Sequence, residues 1–128
     1  MKILEAIKRV DSVKPNRFTI EDKINWLSDL DGIIFKEIVS KHENPKIKEF
    51  IKYFADNQDR ELLIDDCYAE VYDHWLESKI DYYNGEFNSY NNSVSMYNNA
   101  YETFVKNYRQ DHLPITNRFK FGFKKGWR

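Results

Sequence analysis

At 128 residues, 41% hydrophobic and 32% charged, the chain reads as one globular domain with a single modest core, not as a disordered segment. A net charge of −1 argues against a nucleic-acid binder that works by bulk charge, and the single cysteine, Cys67, excludes an internal disulfide or a thiolate metal cluster. The charge is unevenly placed: residues 113–128 hold five basic side chains and no acidic one, so with −1 on the whole chain the preceding 112 residues carry −6.

The first residues lack the apolar run of a signal peptide and no later stretch approaches a membrane span, so a cytosolic protein is expected. Ile3, Leu4, Ile7 and Val10 predict a short amphipathic helix, ending near Asp11 and Ser12 and stopped by Pro15. Thr19 is a candidate N-cap, with Asp22 as a weaker form of the capping box. Ile20, Ile24, Leu27, Leu30, Ile34 and Ile38 then predict a second helix over residues 20–40. Gly32 interrupts it at a cost of about 1 kcal/mol against Ala, which fits a bend or a close helix approach.

Residues 42–64 support two readings. Ile47, Phe50, Ile51 and Phe54 form one helical face, whereas Phe50, Lys52 and Phe54 alternate as a strand does, with residues 56–59 as the turn. Pro45 prevents a straight continuation of the second helix, and the extended, hairpin-like reading is preferred. Asp65 and Asp66 open a third helix whose face is Tyr68, Val71, Tyr72, Trp75, Leu76, Ile80 and Tyr83. Asn84 and Gly85 end it with residues suited to a left-handed cap, and so short a connection predicts an αα-hairpin with the next helix.

That next helix, over residues 86–112, organises the chain. Phe87, Tyr90, Val94, Tyr97, Tyr101, Phe104 and Tyr108 recur three and four apart, one stripe kept for more than three heptads. A single stripe on a helix roughly 40 Å long needs neighbours from this chain or another copy. The four tyrosines, Tyr90, Tyr97, Tyr101 and Tyr108, are therefore assigned to packing shared between core and subunit interface, core first. Pro114 ends the helix. The fold class is all-α: about four helices with a long C-terminal αα-hairpin, a small extended or β-hairpin excursion, and an extended tail. Residues 1–114 form the helical domain and 115–128 the tail.

Catalytic constellations are thin. His42, His74 and His112 lie far apart on different predicted elements, without metal-ligand spacing. Cys67 follows two aspartates, which disfavour a thiolate. Asp29 with Asp31, Asp65 with Asp66, and Glu70 with Asp73 read as ordinary surface carboxylates, and the four scattered glycines make no phosphate loop. The expectation is no enzyme, no catalytic residue, no metal and no cofactor; a small hydrolase would need acids converging on His74. The Asn-rich run over residues 84–99 reads equally as a solvated amide face or as one that bonds a partner subunit.

The tail alternates Phe119, Phe121 and Phe123 with Lys120 and Gly122, continues with Lys124 and Lys125, and closes on Trp127 and Arg128. It suits single-strand nucleic-acid binding by stacking, strand addition to a partner protein, or a loose terminus. Three Phe and a Trp are costly to leave in water, and the body is acidic, so protein docking is preferred.

A resemblance enters here. Residues 62–65, Tyr68, Glu70, Tyr72, His74-Trp75-Leu76-Glu77, Ile80-Asp81-Tyr82, Asn84-Gly85-Glu86, Tyr90-Asn91-Asn92-Ser93, Met96-Tyr97-Asn98, Ala100-Tyr101 and residues 108–114 resemble a group of small Gram-positive phage and prophage proteins. The likeness, which also touches residues 24–32, is to head–tail connector proteins of tailed bacteriophages, also called adaptor or head-completion proteins. It implies a homo-oligomeric ring, commonly of twelve copies, below the portal protein in the virion and assembled in the bacterial host cytoplasm. It also implies a tail-side stopper or tail-completion partner, and DNA passing through the channel without specific binding. In such proteins the C-terminal segment tends to reach the portal, which gives Phe119, Lys120, Phe121, Phe123, Lys124, Lys125 and Trp127 a portal-docking role. No membrane association and no cofactor is implied. The alternative reading is a small nucleic-acid-binding helical module that uses the basic tail.

Overall fold

A computed structural model describes residues 1–43 and 45–115, and among these it is mostly helical and without strands. Four helices follow in chain order: α1 over Ile3–Val13, α2 over Ile20–Glu37, α3 over Glu70–Asn84 and α4 over Phe87–Asp111. Short 3-10 turns at Val39–Lys41 and Asp66–Tyr68 close α2 and lead into α3.

α1 forms because Ile3, Ala6, Ile7 and Val10 fall on one face, and all four are buried. The chain then reverses through an Asn16 turn: its side chain donates to Asp11 and to the Lys14 carbonyl and accepts from the Phe18 N–H. Thr19 caps α2, its hydroxyl accepting from the Asp22 N–H at 3.0 Å, as the spacing predicted. α2 buries Ile24, Leu27, Leu30 and Ile34, and α3 buries Val71, Tyr72, Leu76 and Ile80 against them. Together with α1 these faces make the core.

Residues 45–65 form an extended excursion across α2. Tyr53, Leu62 and Ile64 are buried by it, so it is part of the core and not an appendage. Its backbone bonds run to the start of the chain: the Ile3 N–H donates to Arg60, the Leu4 N–H to Gln58 and the Leu62 N–H to Met1. The single antiparallel bridge here joins Lys2 to Glu61. The two arms of the excursion therefore do not pair with each other as the hairpin reading requires. Gly32 is approached by a ring of this segment, not by a helix; a Cβ placed there would stand 3.5 Å from Phe50.

Two carboxylates are buried, and one of them, Asp31, had been expected at the surface. Asp31 on α2 is fully enclosed, accepting from the Tyr53 hydroxyl at 2.6 Å, the Tyr72 hydroxyl at 2.7 Å and the Leu63 N–H at 3.1 Å. The Tyr72 hydroxyl in turn accepts from the Ile64 N–H at 2.8 Å. Helix α2, helix α3 and the excursion thus meet on one side chain. Burial pushes the Asp31 carboxyl above its ordinary value, against the pull of the three donors. Asp81 on α3 is likewise buried, held by Lys14 Nζ at 2.7 and 2.8 Å and by the Ser93 hydroxyl at 2.8 Å, which ties the end of α1 and helix α4 to α3. Acids with such partners are structural anchors.

Gly85 ends α3 with φ 73°, and the Glu86 N–H reaches back to the Asp81 carbonyl, the six-to-one bond of a left-handed cap. α4 then folds back along α3, its principal helical neighbour.

Candidate interaction surface

Helix α4 is only shallowly sunk. Of its 25 residues, Ser93 and Phe104 are buried, while Tyr90, Val94, Tyr97, Tyr101, Val105 and Tyr108 are half-buried. The aromatic stripe continues as a ladder of rings. Tyr82 meets Tyr90 at 5.5 Å, Trp75 meets Tyr97 at 5.3 Å, Tyr97 stacks on Tyr101 at 5.7 Å, and Phe104 meets Tyr108 at 5.8 Å. Of the four tyrosines of the stripe, Tyr97, Tyr101 and Tyr108 pack against the core.

Its hydroxyls separate it from the core tyrosines. Tyr53 and Tyr72 both donate to Asp31. Among the described residues, the hydroxyls of Tyr90, Tyr97, Tyr101 and Tyr108 have no hydrogen-bond partner. Burial pushes Tyr97, Tyr101 and Tyr108 above the ordinary tyrosine range, so all three remain neutral. A half-buried, neutral, unpaired phenol is suited to bonding water or a second protein.

The open end of the seam lies at the α3–α4 turn. Tyr82, Tyr83 and Phe87 are 53%, 56% and 63% exposed there, with Tyr83 stacked on Trp26 at 5.5 Å. Between the helices on this side runs a groove of about 420 Å³, walled by Trp75, Tyr82, Tyr83, Tyr90 and Tyr97, with Lys79 Nζ 4.6 Å above the Trp75 ring. Residue-by-residue reading missed Tyr82 as part of this surface. The available signal was the pair Tyr82-Tyr83 directly before the Asn84-Gly85 stop, where the helix runs out of partners to cover both rings.

A second groove, about 360 Å³, opens on the other side of α4 between Tyr68, Glu70, Val71, His74, Met96 and Ala100, with Cys67 exposed at its end. His74 Nδ1 lies 2.9 Å from Glu77 Oε1, which orients the ring. Of the acids that a hydrolase would need around His74, Glu70 and Asp73 line a cavity with His74 and Glu77, with Asp73 holding Arg9 at 2.6 Å, whereas Asp31 is in the core.

Two of the histidines are closer than their sequence separation suggested. His42 and His112 both pack on the Tyr108 ring, at 5.2 and 3.8 Å, and their Nδ1 atoms meet the backbone carbonyls of Ile38 and Tyr108. With one ring nitrogen engaged in each, they act as packing groups that fasten the end of α4. Among the described residues no group of His, Cys, Asp and Glu is placed to hold a metal ion, and no helix is long and apolar enough to cross a membrane. Phe119, Lys120, Phe121, Phe123, Lys124, Lys125 and Trp127, expected to dock on the portal, lie outside the described residues.

No family model, curated protein or solved structure matches the chain.

Proposed function

We propose that this protein is a structural ring subunit of a tailed bacteriophage, a head–tail connector that sits under the portal and carries no catalytic site. The observation that supports the reading most is the aromatic seam of α4. Four tyrosines run along it with hydroxyls unpaired among the described residues, and it opens at the α3–α4 turn onto three exposed aromatic side chains. An apolar surface of this kind, with Asn98 and Ser78 among its lining residues, suits a neighbouring subunit.

In this reading the groove of Trp75, Tyr82, Tyr90 and Tyr97 receives the next copy in a head-to-tail ring, commonly of twelve subunits. The basic aromatic tail, through Phe119, Lys120, Phe121, Phe123, Lys124, Lys125 and Trp127, reaches the portal, and a stopper or tail-completion protein follows on the other face. The acidic body, at −6 without its last sixteen residues, weakens contact with DNA passing through the channel, because DNA affinity follows the cations that neutralise phosphate.

The test is to delete residues 115–128 and assay two partners in parallel. The account expects loss of portal binding with no change in DNA mobility shift. A salt-sensitive shift that disappears with the tail, while portal binding never occurs, would replace it with the nucleic-acid reading.

A further inference from the structure

We propose that residues 116–128 occupy the second α3–α4 groove of their own chain, the one lined by Tyr68, Glu70, Val71, His74, Met96 and Ala100. This goes beyond the connector reading and does not depend on it, since it concerns the single chain.

Reach comes first. Backbone bonds from the Glu43 N–H to the Leu113 carbonyl, and from the Ile115 N–H to the Lys41 carbonyl, both 2.7 Å, pin the chain beside the last turn of α4. Thr103, at the near end of the groove, lies eight residues back along that helix, about 12 Å at 1.5 Å per residue. The 13 residues that follow Ile115 span up to about 45 Å when extended, so they cover this distance several times over.

Chemistry selects the occupant. The groove sets Tyr68, Val71, Ala100 and Met96 among the polar Glu70, His74, Asn99 and Thr103, with Met96 left 45% exposed, and a thioether beside open space is a favourable neighbour for an aromatic ring. Phe119, Phe121 and Phe123 are three such rings at alternate positions. Glu70 lines the groove, is exposed, and has no ion-pair partner among the described residues. The arriving segment carries all five basic side chains of residues 113–128, against −6 on the rest of the chain. The opposite groove, with Lys79 over Trp75, offers the wrong charge. A tail held here shields its rings until a partner with a better surface displaces it.

The test is zero-length carbodiimide cross-linking of the full chain, which joins a carboxylate to a lysine only where they touch, mapped by mass spectrometry. The Met1 amine–Glu61 and Lys23–Asp11 pairs, at 2.9 and 2.8 Å and with both carboxylates open to reagent, are the internal positive controls. The expected product joins Glu70 to Lys120, Lys124 or Lys125 in molecules of monomer mass, at a yield unchanged by tenfold dilution. Met96→Lys, a substitution at an exposed position, should cut that yield at least fivefold with the helical circular dichroism and control cross-links intact. Control cross-links without any tail product overturn the proposal. So does a tail product found only at dimer mass, which assigns the groove to the tail of a second copy.

Discussion

Replacing Asp31 is the sharpest probe of how the excursion is held. Asp31→Ala removes one acceptor from three donors at once: the hydroxyls of Tyr53 and Tyr72 and the N–H of Leu63. Each buried donor left unsatisfied costs about 1–3 kcal/mol, offset in part because the carboxylate no longer has to be desolvated. The net loss expected is about 3–5 kcal/mol, a large share of the roughly 5–15 kcal/mol by which a domain is stable. Tyr53→Phe removes one donor and leaves Asp31 two, and should cost about 1.5–3 kcal/mol. Urea unfolding followed by circular dichroism gives both values. Amide hydrogen exchange adds the location, since Leu63 and Ile64 should lose protection more than the interior of α2. The pH dependence has a definite sign. Burial raises the folded-state pKa of Asp31, so its contribution relative to Asp31→Asn is fully present below about pH 4 and falls as pH rises through the raised value. Asp31→Ala within about 0.5 kcal/mol of wild type would refute the reasoning, since that is the range of an ordinary surface change. A difference from Asp31→Asn that widens as pH rises through the acidic range would show that the donors outweigh burial.

Three further substitutions probe other contacts of the core. Gly32→Ala should stabilise by about 0.5–1 kcal/mol in the same assay: the position is helical, and a Cβ would meet Phe50 at an ordinary 3.5 Å. A destabilisation there would show that Phe50 cannot yield. Lys14→Met leaves the buried Asp81 with Ser93 alone and should cost about 2–4 kcal/mol, with the midpoint moving and the slope unchanged; Ser93→Ala should cost less, about 1 kcal/mol.

What was legible in the sequence was local. Thr19, the Asn84-Gly85 stop and the three-and-four spacing through Phe104 act within a few residues, and the caps and helices stand where those patterns put them. The second helix was drawn three residues too long because Ile38 keeps the apolar period while the backbone tightens into a 3-10 turn. Asp31 was taken for a surface acid because its partners are 22 and 41 positions away, beyond any periodic signal. The excursion misled for a related reason. Alternation at Phe50, Lys52 and Phe54 indicates extended backbone, but pairing is chosen by tertiary packing, and the returning arm at Gln58, Arg60 and Leu62 bonds Leu4, Ile3 and Met1 and not residues 50–54. The seam tyrosines were recognisable as a stripe, whereas which of them would leave hydroxyls unpaired depended on how deeply α3 draws α4 in.

The ring reading is tested most directly by mass in solution, measured by light scattering on the protein alone and then with its cognate portal. The account predicts a ring-sized species in at least one of the two conditions, and its loss when Tyr82 and Tyr90 at the seam's open end are changed to Ser. A strict monomer in both conditions would contradict it.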